Sequence, residues 1–234
     1  MLLSIIRQNQ KLAAKRNPAF DRNRFAKFLI YFMVAFWAAY LIFIGVMLSF
    51  AFEDIFPSME PYHIMNQGLI YLLILDFLLR FMLQPAMSQE IKPYLLMPVK
   101  KNKLVDTLLL QSGISSYNFF WFFLIIPFAL LTIIRFYGLT GILCYLCGIW
   151  LLMVMNSYWY LICKTLLNEK LLYILLPIGV YGLLAGTEFI PEGNPVSTFM
   201  MNLGEGFIEG NILAFLGVIA AILLLLLVLS LIHI

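Results

Sequence analysis

The chain has 234 residues, of which 63% are hydrophobic and 12% charged, against about 45–50% and about 25% in soluble domains. This composition excludes an ordinary water-soluble fold, and a net charge of +3 is too small to indicate nucleic-acid binding. We expect an all-α, polytopic bundle of transmembrane helices that contacts membrane lipids and no nucleic acid.

The apolar runs predict two parts. Residues 1–27 carry seven Lys and Arg and form a basic, amphipathic cytoplasmic segment. Residues 28–52 hold no charge and reach roughly 37 Å as a helix, which exceeds a hydrocarbon core of about 30 Å. The remaining runs complete a transmembrane domain over 28–234, with spans at about 28–52, 64–84, 116–135, 140–163, 171–189 and 212–233.

The connections between these runs include a polar stretch from Pro85 to Asp106. An additional helix is expected to rise from the cytoplasm ahead of residue 116, and a turn at Tyr137-Gly138 separates the third and fourth runs. Residues 190–211 contain six Gly and Pro and are predicted to form a loop that can include an interfacial turn. The chain ends inside its sixth apolar run with no basic flank, and its last residues, SLIHI, resemble translated adapter sequence. We therefore expect a fragment that is incomplete at the C-terminus.

The basic residues predict the orientation. With a cytoplasmic N-terminus, 14 of the 15 Lys and Arg fall on the cytoplasmic side and only Arg135 lies outside. Lys and Arg near span ends are retained in the cytoplasm, so this distribution favours that orientation in a multi-pass protein of a bacterial inner membrane. The acidic residues Glu53, Asp54, Glu60, Glu188, Glu192, Glu205 and Glu209 fall on the opposite side.

Asp76 and Arg80 are the charged residues of the second run. They are four residues apart and share one helical face, and a charge at the bilayer centre costs about 2.5–3.5 kcal/mol on insertion scales. We therefore predict an intramembrane ion pair. Its functional interpretation is a polar element facing a translocation path or another helix. Its structural interpretation is an Arg80 that extends to the cytoplasmic interface with Asp76 as its partner.

The segment PYLLMPVKKNKLV, residues 93–105, joins an apolar patch to a basic cluster between helix-ending prolines. It can lie on the membrane surface, press its apolar side into a cytosolic partner, or serve only as a loop with orienting lysines. The residues that we expect to contact such a partner are Tyr94, Leu95, Leu96, Pro98, Val99, Lys100, Lys101 and Lys103.

This segment, with Leu104 and Val105 following the lysines, resembles the first coupling segment of type-2 ABC exporter permeases. In those proteins an amphipathic helix, matched here by residues 1–16, precedes six spans that dock on a separate ATPase. Taken with DFLLRFMLQ at 76–84, the chain more closely resembles an uncharacterised bacterial family of larger permease-like membrane proteins. The resemblance implies a P-loop ATPase subunit as partner and a second permease copy or half.

The leading functional hypothesis is therefore the membrane-spanning permease subunit of an ABC-type exporter, and the alternative is a non-transporting membrane scaffold or assembly factor. No P-loop, H-E-x-x-H or G-x-S-x-G pattern occurs, so we expect neither an enzyme nor a cofactor. Cys144 and Cys147 have metal-ligand spacing but lie in an apolar run without a second pair, so they are expected to pack in the core. His63 is expected at the outer interface rather than as a ligand. The substrate is not specified by these residues.

Overall fold

The structure, a computed structural model, describes residues 24–84, 101–187 and 194–233, together with Ser4, Ile6, Gln8, Asn9 and Leu12. These ranges are helical apart from turns and short connections, and they contain no strand. The all-α prediction is confirmed. Of the five separate N-terminal residues, Ile6 is buried with the core residues of the bundle, and the other four are exposed.

Within the described ranges from residue 24 onward, long helices alternate with short, broken ones. Short 3-10 turns at Ser116–Phe119 and Leu171–Ile174 precede two of the α-helices. The α-helices are α1 (Arg24–Ile55), α2 (Pro61–Gln67), α3 (Leu69–Leu83), α4 (Lys101–Gly113), α5 (Phe122–Thr132), α6 (Ile134–Glu169), α7 (Leu175–Gly186), α8 (Pro195–Ile208) and α9 (Ile212–His233).

Within the described ranges, three helices are long and apolar enough to cross a membrane: α1, α6 and α9. The number rises to five if two bent pairs each count as one span, namely α2 with α3, bent by 49°, and residues 103–119 with α5, bent by 58°. The predicted run at 171–189 forms only a shorter apolar helix, Leu171–Gly186. The count of six and the cytoplasmic N-terminus stay predictions.

The predicted turn at Tyr137-Gly138 is confirmed. The helical backbone conformation of α6 is interrupted at Gly138, where φ is 63° and ψ is −161°. A positive φ is costly for residues with a Cβ atom, so glycine suits this position. The break lets the chain reverse between α5 and the long remainder of α6.

The prediction of a loop over 190–211 was wrong for residues 195–208, which form α8. Pro195 occupies the first turn, and the Asn194 side chain accepts hydrogen bonds from the backbone N–H groups of Val196 and Ser197. This combination is a favourable helix start. The glycines that favoured a loop serve packing instead, since a Cβ atom at Gly204 would lie 2.3 Å from the Asn66 side chain.

α6 lies at the centre of the bundle and contacts α3, α4, α5, α8 and α9. Its side chains Tyr145, Ile149 and Met153 are fully buried. Gly148 allows the Phe207 ring of α8 to approach closely, because an added Cβ atom would lie 2.2 Å from Phe207 Cγ. The core is thus organised around one long helix.

The outer faces of the bundle are apolar. On α1, the rings of Phe28, Phe32, Phe36 and Tyr40 stack along one exposed edge with centroids 6.2–6.4 Å apart. Large exposed apolar patches are rare on soluble monomers and mark contact with a membrane or a partner. The surface is therefore compatible with a membrane protein.

Candidate functional site

A buried ion pair lies on α3. Arg80 Nε donates to Asp76 Oδ2 at 2.6 Å, and the Arg80 and Asp76 side chains are 1% and 4% exposed. The i, i+4 spacing on one helix brings the two groups together. Both charged side chains are enclosed by protein.

The Asp76 carboxylate accepts from three helical segments. Besides Arg80, Asn156 Nδ2 of α6 donates to Oδ2 at 2.7 Å, and Trp121 Nε1, next to the start of α5, donates to Oδ1 at 2.9 Å. A buried carboxylate is tolerated when it is paired and fully hydrogen-bonded. Asp76 thus holds α3, α5 and α6 together by charge-assisted hydrogen bonds.

Arg80 connects the same site to α4. Its Nη2 donates to Asn118 Oδ1 at 2.8 Å, and Asn118 Nδ2 donates to the carbonyls of Gly113 at 2.6 Å and Ser112 at 3.2 Å. The last carbonyls of a helix lack partners within the helix, so the Asn118 amide caps α4. Asn118 is fully buried in the short turn between α4 and α5.

α7 also contacts the site. The Tyr181 hydroxyl donates to Asn156 Oδ1 at 3.0 Å, while Asn156 Nδ2 also donates to the Leu73 carbonyl at 2.9 Å. We name the connected side chains the Asp76 network; its members are Asp76, Arg80, Asn118, Trp121, Asn156 and Tyr181.

Most of the predicted coupling residues lie outside the described residues, namely Tyr94, Leu95, Leu96, Pro98, Val99 and Lys100. Lys101 begins α4, and Lys103 is exposed two residues further on. The next residues of α4 are buried and pack on α6 and α9; they are Leu104, Val105, Leu108 and Leu109. α4 therefore links the C-terminal end of the predicted segment to the core.

The C-terminal end of α3, which precedes that segment in the chain, is bound by side chains of α6. The Gln84 carbonyl, at the end of α3, accepts from Tyr160 Oη at 2.6 Å and from Lys164 Nζ. Lys164 Nζ also donates to the Phe81 carbonyl at 3.1 Å. The unpaired carbonyls at the end of α3 are thereby satisfied by side chains of α6.

A second set of polar contacts joins other helix ends. His63 Nδ1 of α2 lies 2.5 Å from Glu205 Oε1 of α8, and Nη1 of exposed Arg135 lies 3.3 Å from Glu53 Oε1. Arg135, predicted to be the lone outer basic residue, thus contacts one of the acids predicted on that side. Nearer the core, Tyr145 Oη donates to Asn66 Oδ1 at 2.9 Å.

The cysteine prediction needs correction. Cys147 is exposed on α6 and Cys144 is half-buried, whereas Cys163 is buried. The helix turns Cys147 outward, away from the face that packs on α8. No group of three or more His, Cys, Asp or Glu side chains in the described ranges is placed to hold a metal ion.

The sequence did not single out Trp121 or Tyr181 as partners of the charged pair. Trp121 is 45 residues from Asp76, and Tyr181 is 25 residues from Asn156. These contacts depend on how separate helices pack, so no local spacing reveals them. The useful signal was the scarcity of polar side chains in the apolar runs, which includes Asn118 and Asn156.

The fold and the site define an all-helical bundle with several long apolar helices and a buried charged network, which is compatible with a membrane protein. The chain belongs to a family of unknown function, DUF5687, whose sequence profile matches residues 10–233. Comparison with curated proteins and with solved structures gives no match.

Proposed function

We propose that the chain is the membrane-spanning permease subunit of an ABC-type exporter in a bacterial inner membrane, working with a separate P-loop ATPase. The observation that carries the proposal is the continuous connection from the predicted coupling segment through α4 to the Asp76 network. α4 begins at Lys101, and its last carbonyls are bound by Asn118, which also binds Arg80.

This connection suits a part that transmits force. α4 is a short, rigid helix, and its buried side chains pack on α6 and α9, so displacement at Lys101 moves the Gly113 end as well. A change in the ATPase would reach the charged contacts among α3, α5 and α6. Rigid elements with alternative hydrogen-bond arrangements are a recognised means of coupling distant sites.

In the proposed cycle, ATP binding closes the ATPase dimer. The docked segments then rock two permease copies or halves between inward and outward states. Rearrangement of the Asp76 network would accompany this motion, and the described arrangement of its hydrogen bonds would stabilise one of the two states. The high cost of an unpaired buried charge makes intermediate arrangements unfavourable.

The decisive experiment is copurification with a P-loop ATPase encoded beside this gene. We expect the two proteins to copurify, and a triple variant, Leu96→Ala/Lys100→Ala/Lys101→Ala, to lose the ATPase while still inserting in the membrane. The matched control is Lys170→Ala, an exposed residue predicted on the same side, which should retain the ATPase. Association that survives the triple substitution would contradict the coupling assignment.

The orientation has an independent test. Single cysteines at Glu53 and Arg135, which are exposed and in contact, should react in intact cells with a membrane-impermeant thiol reagent. A single cysteine at Lys103, exposed on α4, should react only after the cells are opened. The reverse pattern would place the coupling segment outside the cell and away from ATP.

The alternative, a scaffold or assembly factor, predicts a different result in the same purification. A scaffold would retain membrane protein partners, and ATP would not alter its conformation. ATP-dependent labelling of the Lys103 cysteine in the presence of the ATPase would therefore favour the permease.

A further inference from the structure

α7 is the most weakly attached helix around the Asp76 network. Its flanking and outward side chains are largely exposed, with Leu171 at 78%, Leu175 at 59% and Leu183 at 76%. A Cβ atom built at Gly179, Gly182 or Gly186 would meet no atom within 4 Å. α7 therefore lies against the bundle along one side only.

Tyr181 attaches the middle of α7 to the bundle. Its hydroxyl donates to Asn156 Oδ1, its ring centroid lies 5.0 Å from that of Phe77, and the Trp159 indole interacts with the same hydroxyl. At the end of the helix, Thr187 Oγ1 donates to Asn194 Oδ1 at 2.9 Å. α7 is thus attached by Tyr181 at its middle, by Leu176 and buried Pro177 near its start, and by Thr187 just beyond its end.

One nitrogen of the Asp76 network is an unused donor. Arg80 Nη1 is buried and has no acceptor among the described residues. If Tyr181 moves away, Asn156 Oδ1 also loses its donor. The opened site would then offer a cationic donor at Arg80 and a neutral acceptor at Asn156, which match an anionic oxygen and a hydroxyl group on one ligand.

The route to this site passes through an apolar surface. The exposed leucines around α7 belong to a segment that the proposed function places in the bilayer, so a ligand entering beside α7 comes from the lipid phase. We propose that α7 is a cover, latched by Tyr181, over a binding site for the anionic, hydroxyl-bearing head group of an amphiphile. This inference rests on the proposed function and deepens it by naming the substrate class.

Opening of the cover can be measured without an ATPase, so its failure is distinguishable from failure of the permease assignment. Cys163 is 2% exposed and lies seven residues after Asn156, on the same face of α6. In a Cys144→Ala/Cys147→Ala background, Cys163 is a single thiol that reports on access beneath α7.

In phosphatidylcholine nanodiscs we expect Cys163 to react slowly with N-ethylmaleimide. Tyr181→Phe removes the hydroxyl and keeps the ring, and should accelerate labelling roughly fivefold to tenfold, as expected for one lost hydrogen bond. The control, Tyr173→Phe, alters an exposed tyrosine in the turn before α7 and should leave the rate unchanged. Equal rates of Cys163 labelling in Tyr181→Phe and in the unsubstituted background would overturn the proposal that α7 is a cover.

Ligand binding is read separately, as lipid retained by the detergent-purified full chain in native mass spectrometry. The ligand should bind the open form, so Tyr181→Phe should retain more phosphatidylglycerol than the unsubstituted background, in proportion to the gain in Cys163 labelling. Phosphatidylcholine, which lacks both net negative charge and a head-group hydroxyl, should show no such gain. A gain shared by both lipids, or by neither, would overturn the head-group assignment.

Two further arms define the site and the route. Adding Arg80→Gln to Tyr181→Phe should abolish the gain in retained phosphatidylglycerol. Cys163 labelling should stay fast in this variant, but slower than in denatured protein, which shows that the variant is folded. The control substitution Arg135→Gln, at an exposed arginine, should retain the gain. Soluble glycerol 1-phosphate should not displace the lipid. Retention of phosphatidylglycerol by the variant without Arg80, or displacement of the lipid by glycerol 1-phosphate, would contradict a site entered from the bilayer.

Discussion

Asn118 links Arg80 to the end of α4: Arg80 Nη2 donates to Asn118 Oδ1 at 2.8 Å, and the Asn118 amide donates in turn to the Gly113 carbonyl at 2.6 Å. One neutral side chain thus connects a buried charge on α3 with a helix that begins in the predicted coupling segment. Such a bridge couples the two helices only while both hydrogen bonds persist.

Asn118→Ala should therefore lower stability by about 1–3 kcal/mol, because it leaves Arg80 Nη2 and the Gly113 carbonyl without their partner. The measurement is thermal or denaturant unfolding in detergent. Thr107→Ala is the control, since the Thr107 hydroxyl donates to the Lys103 carbonyl within α4 and spans no helix boundary; its effect should stay within about 0.5 kcal/mol. Equal losses of stability for Asn118→Ala and Thr107→Ala would show that the Asn118 bridge between α3 and α4 does not stabilise the fold.

Single replacements of the ion pair should be far more damaging than replacement of both members. Asp76→Asn leaves the Arg80 cation without its partner, and Arg80→Gln leaves the Asp76 carboxylate without its partner. Either uncompensated buried charge should cost about 3–5 kcal/mol of stability. The double variant removes both charges, so its loss should be clearly smaller than the sum of the single losses. Unfolding of all three variants in the same detergent measures the coupling between the two residues.

The exposed pair Arg135 and Glu53 provides the comparison. Its side chains are 60% and 54% exposed, so solvent screens their attraction and the coupling should be about 0–1 kcal/mol. If a double Asp76/Arg80 variant folds, inserts and also sustains ATP-dependent transport, the pair is a structural element. Loss of transport with retained folding would favour a role in the transport cycle.

Close helix packing gives a prediction that does not depend on function. At Gly45 of α1 a Cβ atom would lie 2.3 Å from the Leu124 carbonyl oxygen, a backbone atom that cannot turn aside. Gly45→Ala should destabilise the protein by about 1–3 kcal/mol through overpacking. Gly217→Ala on α9 meets no atom within 4 Å and should be neutral or stabilising by up to about 1 kcal/mol. The measurement is the melting temperature in detergent, which should fall for Gly45→Ala and stay unchanged or rise for Gly217→Ala.

Local patterns predicted the local structure well. Apolar runs located the long helices, and Gly138 marked the reversal between α5 and α6 because its backbone conformation is determined within a few residues. The same reasoning failed for α8, where Gly204 is required by the approach of Asn66 from another helix. The contacts of Trp121 and Tyr181 also depend on packing between distant segments, which no local spacing encodes.

The end of α3 provides the last test. Lys164 of α6 donates to the carbonyls of Phe81 and Gln84 and lies 5.4 Å from the Phe81 ring centroid. Lys164→Met keeps the apolar stem and removes the ammonium donors, so the carbonyls lose hydrogen bonds and α3 should lose about 1–2 kcal/mol of stability. Hydrogen exchange at Leu83 and Gln84 is the measurement.

Lys170→Met is the matched control, since Lys170 is exposed just beyond the end of α6 and its loss should leave exchange at α3 unchanged. In the proposed permease, Lys164 fixes the point from which the coupling segment departs. Lys164→Met should therefore retain the ATPase on purification, because the docking residues are intact, yet transmit less of its motion to the bundle. Reduced ATP-dependent labelling of the Lys103 cysteine would show this loss, whereas loss of the ATPase itself would place Lys164 in the docking surface instead.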